Sequence, residues 1–334
     1  MPSDDDELIA WLRRVGLAQA DEAPRLVPLT GGVSSDVFRV DLRSGPICLK
    51  RAVAQLRVSS EWRVPLARSN YEVAWLRTVR AFDEGIAPEV LAHDPEANRF
   101  AMTWFPPAQY RLWKSDLAAG QVAPEFARQV GRTLAMIHGR TAGARDVAAG
   151  FATEDLFTAL RVEPFLRHTA QAHPDLGTRL EAIASTTLAH KVALVHGDVS
   201  PKNLLCGPQG PVFLDAECAW FGDPAFDIAF CCTHLLLKAL WRRSHSAEVL
   251  AAFAELRDSY FNGVGWEERW ALDARAASLV AALLLARIDG KSPVDYLADR
   301  ERAFARETAR ELLAASGLSL TAAAATWRDK LQNL

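Results

Sequence analysis

A chain of 334 residues holds about two domains at roughly 150 residues each, which excludes a small disulfide-stapled or metal-nucleated module. Half the residues are hydrophobic and 24% are charged, with Gly 19 and Pro 17, so disorder, collagen and coiled coil are also excluded. Lys+Arg 38 against Asp+Glu 41 gives a net charge of -3, which argues against a nucleic-acid or anionic-membrane coat and for a small-molecule partner.

The first predicted element is a helix from Asp4 to Leu17, where Leu8, Ile9, Trp11, Leu12 and Val15 fall near helical spacing. Two short strands follow between Arg25 and Leu42 around a Gly31-Gly32 turn, and a third runs from Pro46 to Ala52. Alternation in that third strand puts Ile47 and Leu49 on one face and Cys48 and Lys50 on the other. Arg68 to Arg80 reads as a helix whose apolar stripe, Trp75, Leu76 and Val79, also contains Glu72. An inward carboxylate needs a partner, and so does a lysine on an apolar strand.

Glu89 to His93 and Arg99 to Trp104 read as strands joined by the turn-rich residues 94–98, and Pro106-Pro107 breaks the pattern. Beyond residue 108 the periodicity is helical at Pro124 to His138, Leu176 to His190, Phe226 to Trp241, Ala247 to Phe261, Trp266 to Ile288 and Asp299 to Ala315. One strand-rich island, Val192 to Leu214, interrupts it. The expected class is α+β: a small antiparallel-sheet N-terminal lobe, residues 1–105, and a larger, mainly helical C-terminal lobe, residues 106–334, with a cleft between them.

The five cysteines are odd in number and scattered, without zinc or redox spacing, and read as reduced thiols of a cytoplasmic protein. The acidic stretch Met1 to Glu7 is unlike an export signal. The longest apolar run, Leu279 to Ala286, falls far short of the roughly 20 residues that span a bilayer, so no membrane association is expected.

The densest chemistry lies where Val192-Ala193-Leu194-Val195 runs into His196-Gly197-Asp198-Val199-Ser200-Pro201-Lys202-Asn203, a pattern of the form H-x-D-x-x-x-x-N. A predicted hairpin, Leu204 to Leu214 with its turn at 207–210, returns to Asp215 beside Asn203. Two hard oxygen ligands at one hairpin end, beside a loop carrying Asp198, suit Mg²⁺ with phosphate completing its shell.

This order of parts resembles the aminoglycoside phosphotransferase, choline kinase and methylthioribose kinase group, small-molecule kinases with a protein-kinase-like fold. The resemblance implies a phosphotransferase using ATP and Mg²⁺ on a small-molecule hydroxyl, with Asp198 as catalytic base and Asn203 and Asp215 as metal ligands. It implies that Lys50 binds the α- and β-phosphates and that Glu72 orients it, which gives each of these side chains the partner it lacks. Gly31, Gly32, Ser34 and Ser35 would cover the phosphates, although a Gly-Gly turn alone is also a plain hairpin and departs from G-x-G-x-x-G. Met102 to Phe105, with Trp104, resembles the hinge that pairs with adenine.

Asp215-Ala216-Glu217 replaces the protein-kinase Asp-Phe-Gly and resembles the Asp-x-Glu of methylthioribose kinase. Glu217 is either a further metal oxygen or a local hydrogen-bonding group. His196 and Asp227 read as structural brackets of the catalytic loop, and Lys202 as a solvated lysine. A peptide-receiving segment has no room between Asp215 and Asp227, which disfavours protein substrates.

Two other stretches are set aside. Gly290-Lys291-Ser292 lacks the strand and glycine of a P-loop, and Cys231-Cys232-Thr233-His234 reads as a buried helix face. In the family the acceptor pocket is built by the C-terminal helices, and their balanced charge disfavours a polycationic aminoglycoside in favour of a neutral or anionic hydroxyl compound, such as a sugar derivative, with an amino alcohol also open. Trp220, Trp241, Trp266 and Trp270 are either core residues or stacking surfaces for the acceptor. The rival to a kinase is a catalytically silent regulator with the same fold; such proteins lose the base or a metal ligand, and all five signature residues are present here. Oligomeric state is not legible.

Overall fold

The computed structural model describes residues 4–29, 34–55, 62 and 64–334, so Gly31 and Gly32 lie outside the described residues. The chain divides into two compact units, Met1–Pro106 and Pro107–Leu334. The first contains α1 (Asp4–Arg14), β1 (Arg25–Pro28), β2 (Ser35–Leu42), β3 (Gly45–Ala52), α2 (Arg68–Arg80), β4 (Val90–Asp94) and β5 (Arg99–Thr103). Its sheet is antiparallel with strand order β1-β2-β3-β5-β4.

The alternation of β3 decides what each face of this sheet does. Ile47 and Leu49 join Val40, Leu42 and Ala101 in a core closed by Leu8, Trp11 and Leu12 of α1. The opposite phase gives Cys48 and Lys50 to the other face, where Glu72 of α2 meets Lys50. Arg68, wholly buried at the start of α2, donates to the carbonyls of Ser34, Val53 and Pro65, and so ties down the chain just before β2.

The second unit contains β6 (Arg111–Leu112), α3 (Trp113–Ala118), α4 (Pro124–Thr141), α5 (Arg145–Gly150), α6 (Glu154–Phe157), a π-helix (Thr158–Arg167), α7 (His168–Ala172) and α8 (Gly177–Ala189). It continues with β7 (Ala193–Val195), β8 (Leu204–Gly207), β9 (Gly210–Phe213), β10 (Trp220–Gly222), α9 (Ala225–Trp241), α10 (Ser246–Gly263), α11 (Arg269–Asp289), α12 (Asp299–Ala314) and α13 (Leu320–Leu331). The core is a helical stack: α10 packs on α4 and α9, and α11 packs on α9 and α12. α9 is buried along almost its whole length, Cys231, Cys232 and His234 included, as a helix apolar all round must be.

Six expected helices form with small shifts at their ends, whereas α3, α5, α6, α7, α13 and the π-helix lie outside the sequence expectation. α13 hides because its buried stripe is Leu320, Ala323, Trp327 and Leu331 in an alanine-rich run, which gives little apolar contrast. The π-helix contains Pro164, which has no N–H to give to a regular i→i+4 ladder.

Trp220 is core, stacked on Phe157 at 4.3 Å, and Trp266 sits edge-on to His138. Trp270 is 72% exposed. All five cysteines are unpaired thiols. Burial pushes the thiols of Cys48, Cys206 and Cys218 up to about 12, and those of Cys231 and Cys232 higher still. Among the described residues, no helix is long and apolar enough to cross a membrane.

Candidate active site

In the first unit, Lys50 lies opposite Val37 on β2 and Phe100 on β5, at the centre of the sheet. Its Nζ is 2.7 Å from Glu72 Oε2, and both side chains are almost fully buried. Ser35 is buried at the start of β2, with Ser34 half-buried just before it. Met102 is buried in β5 opposite Cys48, and the chain leaves the strand at Trp104, whose ring lies under the Arg39 guanidinium at 5.8 Å.

In the second unit the loop after β7 is pinned at several points. Asp227, at the start of α9, accepts from the backbone N–H of His196 (2.7 Å) and of Gly197 (2.8 Å), one bond to each carboxylate oxygen. His138 Nε2 stands 3.3 Å from the same carboxylate, and its Nδ1 is 2.8 Å from the Tyr260 hydroxyl. His196 Nδ1 accepts from the Asp198 N–H at 3.1 Å, so its proton is on Nε2, which donates to the Leu214 carbonyl at 3.1 Å. Burial lowers the His196 pKa despite the carboxylates around it, which keeps the ring neutral. Asp227 thus accepts from two backbone N–H groups of this loop, and His196 from one.

Gly197 takes φ +79, and a Cβ there would lie 2.7 Å from both Cβ and the carbonyl oxygen of Cys218. Only glycine fits this bend, which turns the chain to present Asp198. Asn203 Nδ2 donates to the Asp198 carbonyl at 3.0 Å, leaving its Oδ1 available as a ligand. The β8-β9 hairpin pairs Leu204 with Phe213, and the Leu214 N–H donates to the Asn203 carbonyl at 2.9 Å, so Asp215 follows directly beside Asn203. Asp215 has φ 68, unusual for a residue with a side chain, and Glu217 is buried two residues on. The donor set of Asn203, Asp215 and Glu217 is all oxygen, which fits a hard cation such as Mg²⁺.

The Asp198 carboxylate is not alone. Its Oδ2 lies 2.9 Å from Lys202 Nζ and 3.0 Å from Arg161 Nη2. Burial by itself would raise this carboxyl, but Lys202 and Arg161 outweigh it and hold the pKa below the usual carboxylate value. Lys202 is exposed, as a solvated lysine should be, but it also ion-pairs: the single turn Pro201–Asn203 brings residue 202 back over residue 198 at i,i+4.

Arg161 is the residue that sequence reasoning misses. It comes from the π-helix, is buried, and donates to the Gly197 and Leu160 carbonyls as well as to Asp198. Burial disfavours its charge, and the surrounding Cys218, Asp198, Asp215 and Glu217 more than compensate. An arginine between the apolar residues Leu160 and Val162 was the available signal, one as open to a surface reading until the carboxylates are placed.

Residues 25–270 match the phosphotransferase enzyme family. A methylthioribose kinase of Pectobacterium atrosepticum is 26% identical over 265 residues, covering 70% of this chain and 65% of that relative. The chain thus spans just under two thirds of the length of the curated relatives it matches. Among solved structures, an amicoumacin kinase in complex with AMP-PNP, Ca²⁺ and Ami aligns with TM-score 0.58 and 13% identity over 93% of each chain. A choline/ethanolamine kinase family protein from Mesorhizobium loti aligns with TM-score 0.54 and 18% identity, covering 97% of this chain and 99% of that one. The fold is accordingly α+β and protein-kinase-like, as expected.

Proposed function

The chain belongs to the phosphotransferase enzyme family, and from that premise we propose that it transfers the γ-phosphate of ATP to a hydroxyl group of a small metabolite, with Asp198 as the catalytic base. The observation that carries this reading is the state of Asp198: a buried carboxylate held ionised by two cations, on a loop fixed through Asp227, His196 and Asn203. The acceptor hydroxyl oxygen forms a bond to the γ-phosphorus as the β–γ bridging P–O bond breaks. The hydroxyl proton passes to Asp198, and ADP leaves. No covalent enzyme intermediate is needed.

Lys50, oriented by Glu72, binds the α- and β-phosphates. The backbone around Met102 and Trp104 takes the adenine, and Gly31, Gly32, Ser34 and Ser35 cover the phosphates. Asn203, Asp215 and Glu217 would hold Mg²⁺, which when bound supplies charge neutralisation at the phosphates. Lys202 and Arg161 keep the base ionised, and Arg161 is a positioning residue because it acts through Asp198 and the Gly197 carbonyl.

The test is Asp198→Asn. Loss of a positioned base typically costs about 10²–10⁴ in rate, so phosphoryl transfer should fall by roughly a thousandfold while equilibrium ATP binding persists. Retained turnover would remove Asp198 from the role. ATP binding by the natural chain without ADP release across sugars, amino alcohols and aminoglycosides would favour the regulator.

A further inference from the structure

Beyond Asp198, the second unit carries a row of cations that the proposed chemistry does not use. Phe230, His234 and Lys238 recur every four residues along α9 and so share one face, and Arg242 follows at the C-cap of that helix. Phe230 lies under the Arg161 guanidinium at 5.6 Å, at the Asp198 end, and its ring meets His234 at 5.1 Å. His234 and Lys238 lie one and two turns further, about 6 and 12 Å along the helix.

Lys238 is 3% exposed. Among the described residues no carboxylate ion-pairs with it and nothing hydrogen-bonds its ammonium; it rests over the rings of Tyr296 (3.5 Å) and Trp241 (4.2 Å). Burial and then Lys114, with Arg242 and Arg287 after it, bring its pKa down to about 8, against one opposing carboxylate, Asp295. His234 is held neutral by burial and by Arg287, Lys202, Lys238 and Lys114 around it.

A second observation points to a ligand. Among the described residues, His234 Nε2, Arg287 Nε, Arg242 Nε and the Tyr296 hydroxyl find no hydrogen-bond partner although all four atoms are buried. Buried donors and like charges are kept together only where something compensates them. The charges gathered around His234 and Lys238 are positive apart from Asp295, and around Arg287 the opposing carboxylates are Asp198 and Asp295.

We infer that this face of α9, with Arg287 of α11 and Tyr296, is an anion subsite, and that the acceptor carries a carboxylate or phosphate besides the hydroxyl presented to Asp198. The inference rests on the phosphotransfer reading for its acceptor and on the cation row for its charge. A polycation would be repelled by this row. A quaternary ammonium would find the aromatic faces of Trp241 and Tyr296 already taken by the chain's own lysine.

The test uses the full chain with Mg²⁺-ATP and acceptors matched except in charge: D-gluconate against D-sorbitol, D-ribose 5-phosphate against D-ribose, with choline and kanamycin as cations. At least one anionic member should exceed its neutral partner by about tenfold or more in kcat/KM, and which pair responds separates carboxylate from phosphate. Preference for a neutral or cationic acceptor overturns the inference. Lys238→Met should raise KM for the preferred anion by about tenfold with ATP binding unchanged, and Lys238→Arg should restore it; an unmoved KM also overturns it.

If no acceptor releases ADP, the phosphotransfer reading fails separately, and the subsite is read from the thermal midpoint. A rise with gluconate or ribose 5-phosphate that Lys238→Met abolishes sustains the subsite, and no rise with either removes it. The arms run on the natural chain decide the matter even where Lys238→Met fails to fold.

Discussion

Two cations on one oxygen of Asp198 set the ionisation of that residue. An aspartate beside a cation has its pKa lowered, and here both Lys202 and Arg161 act in that sense against burial. The folded-state pKa lies below the unfolded one, so Asp198 stays ionised at neutral pH, and the stability it contributes is lost only as pH falls through the lowered value. The acid limb of kcat/KM assigned to Asp198 should therefore lie below the ordinary aspartate value. Lys202→Met should move that limb to higher pH, read from a full pH–rate profile, and an unmoved limb would mean that Lys202 does not tune the base. At this scale the sequence was informative where a residue's need was visible in its own element. Lys50 and Glu72 each sat wrongly in an apolar pattern, and they pair at 2.7 Å. Lys202 gave no such signal and Arg161 only an ambiguous one, because their partner is reached through a tight turn in one case and from a distant helix in the other.

The element that governs presentation of Asp198 is the bend after β7. Its sharpness rests on Gly197 at φ +79, packed against Cys218 with no room for a side chain. Gly197→Ala combines left-handed strain with overpacking, and should destabilise the protein by about 3 kcal/mol in urea unfolding. A loss below about 0.5 kcal/mol would mean that the bend relaxes freely. The same elements show where sequence pattern stops. The β8-β9 hairpin was legible from its turn residues, and its end sets Leu214, the residue before Asp215, against Asn203. Strand β6 has two residues and β10 three, too short for any periodicity, and they exist only because β8 and β7 offer edges to pair with. The π-helix that delivers Arg161 was invisible for a related reason: its period is neither 2 nor 3.6.

Over the whole molecule, a net charge of -3 conceals a partition. Near-neutrality in the composition spoke against a polycationic acceptor, but could not show that Lys238, Arg242 and Arg287 converge in one place while many carboxylates are spent in ion pairs elsewhere. Which charges share a surface is a property of the fold and not of the count. The five buried or half-buried thiols have a practical consequence of the same global kind. Thiolate is the form that reacts with alkylating and disulfide reagents, and pKa values near or above 12 leave almost none of it at neutral pH. The native protein should therefore show few or no fast-reacting groups in an Ellman assay, and five after denaturation; rapid reaction in the folded state would contradict this packing. Silent endogenous sulfur makes the chain its own blank, so a single cysteine introduced in place of the exposed Trp270 would carry a spectroscopic label at one address without any prior removal of native residues.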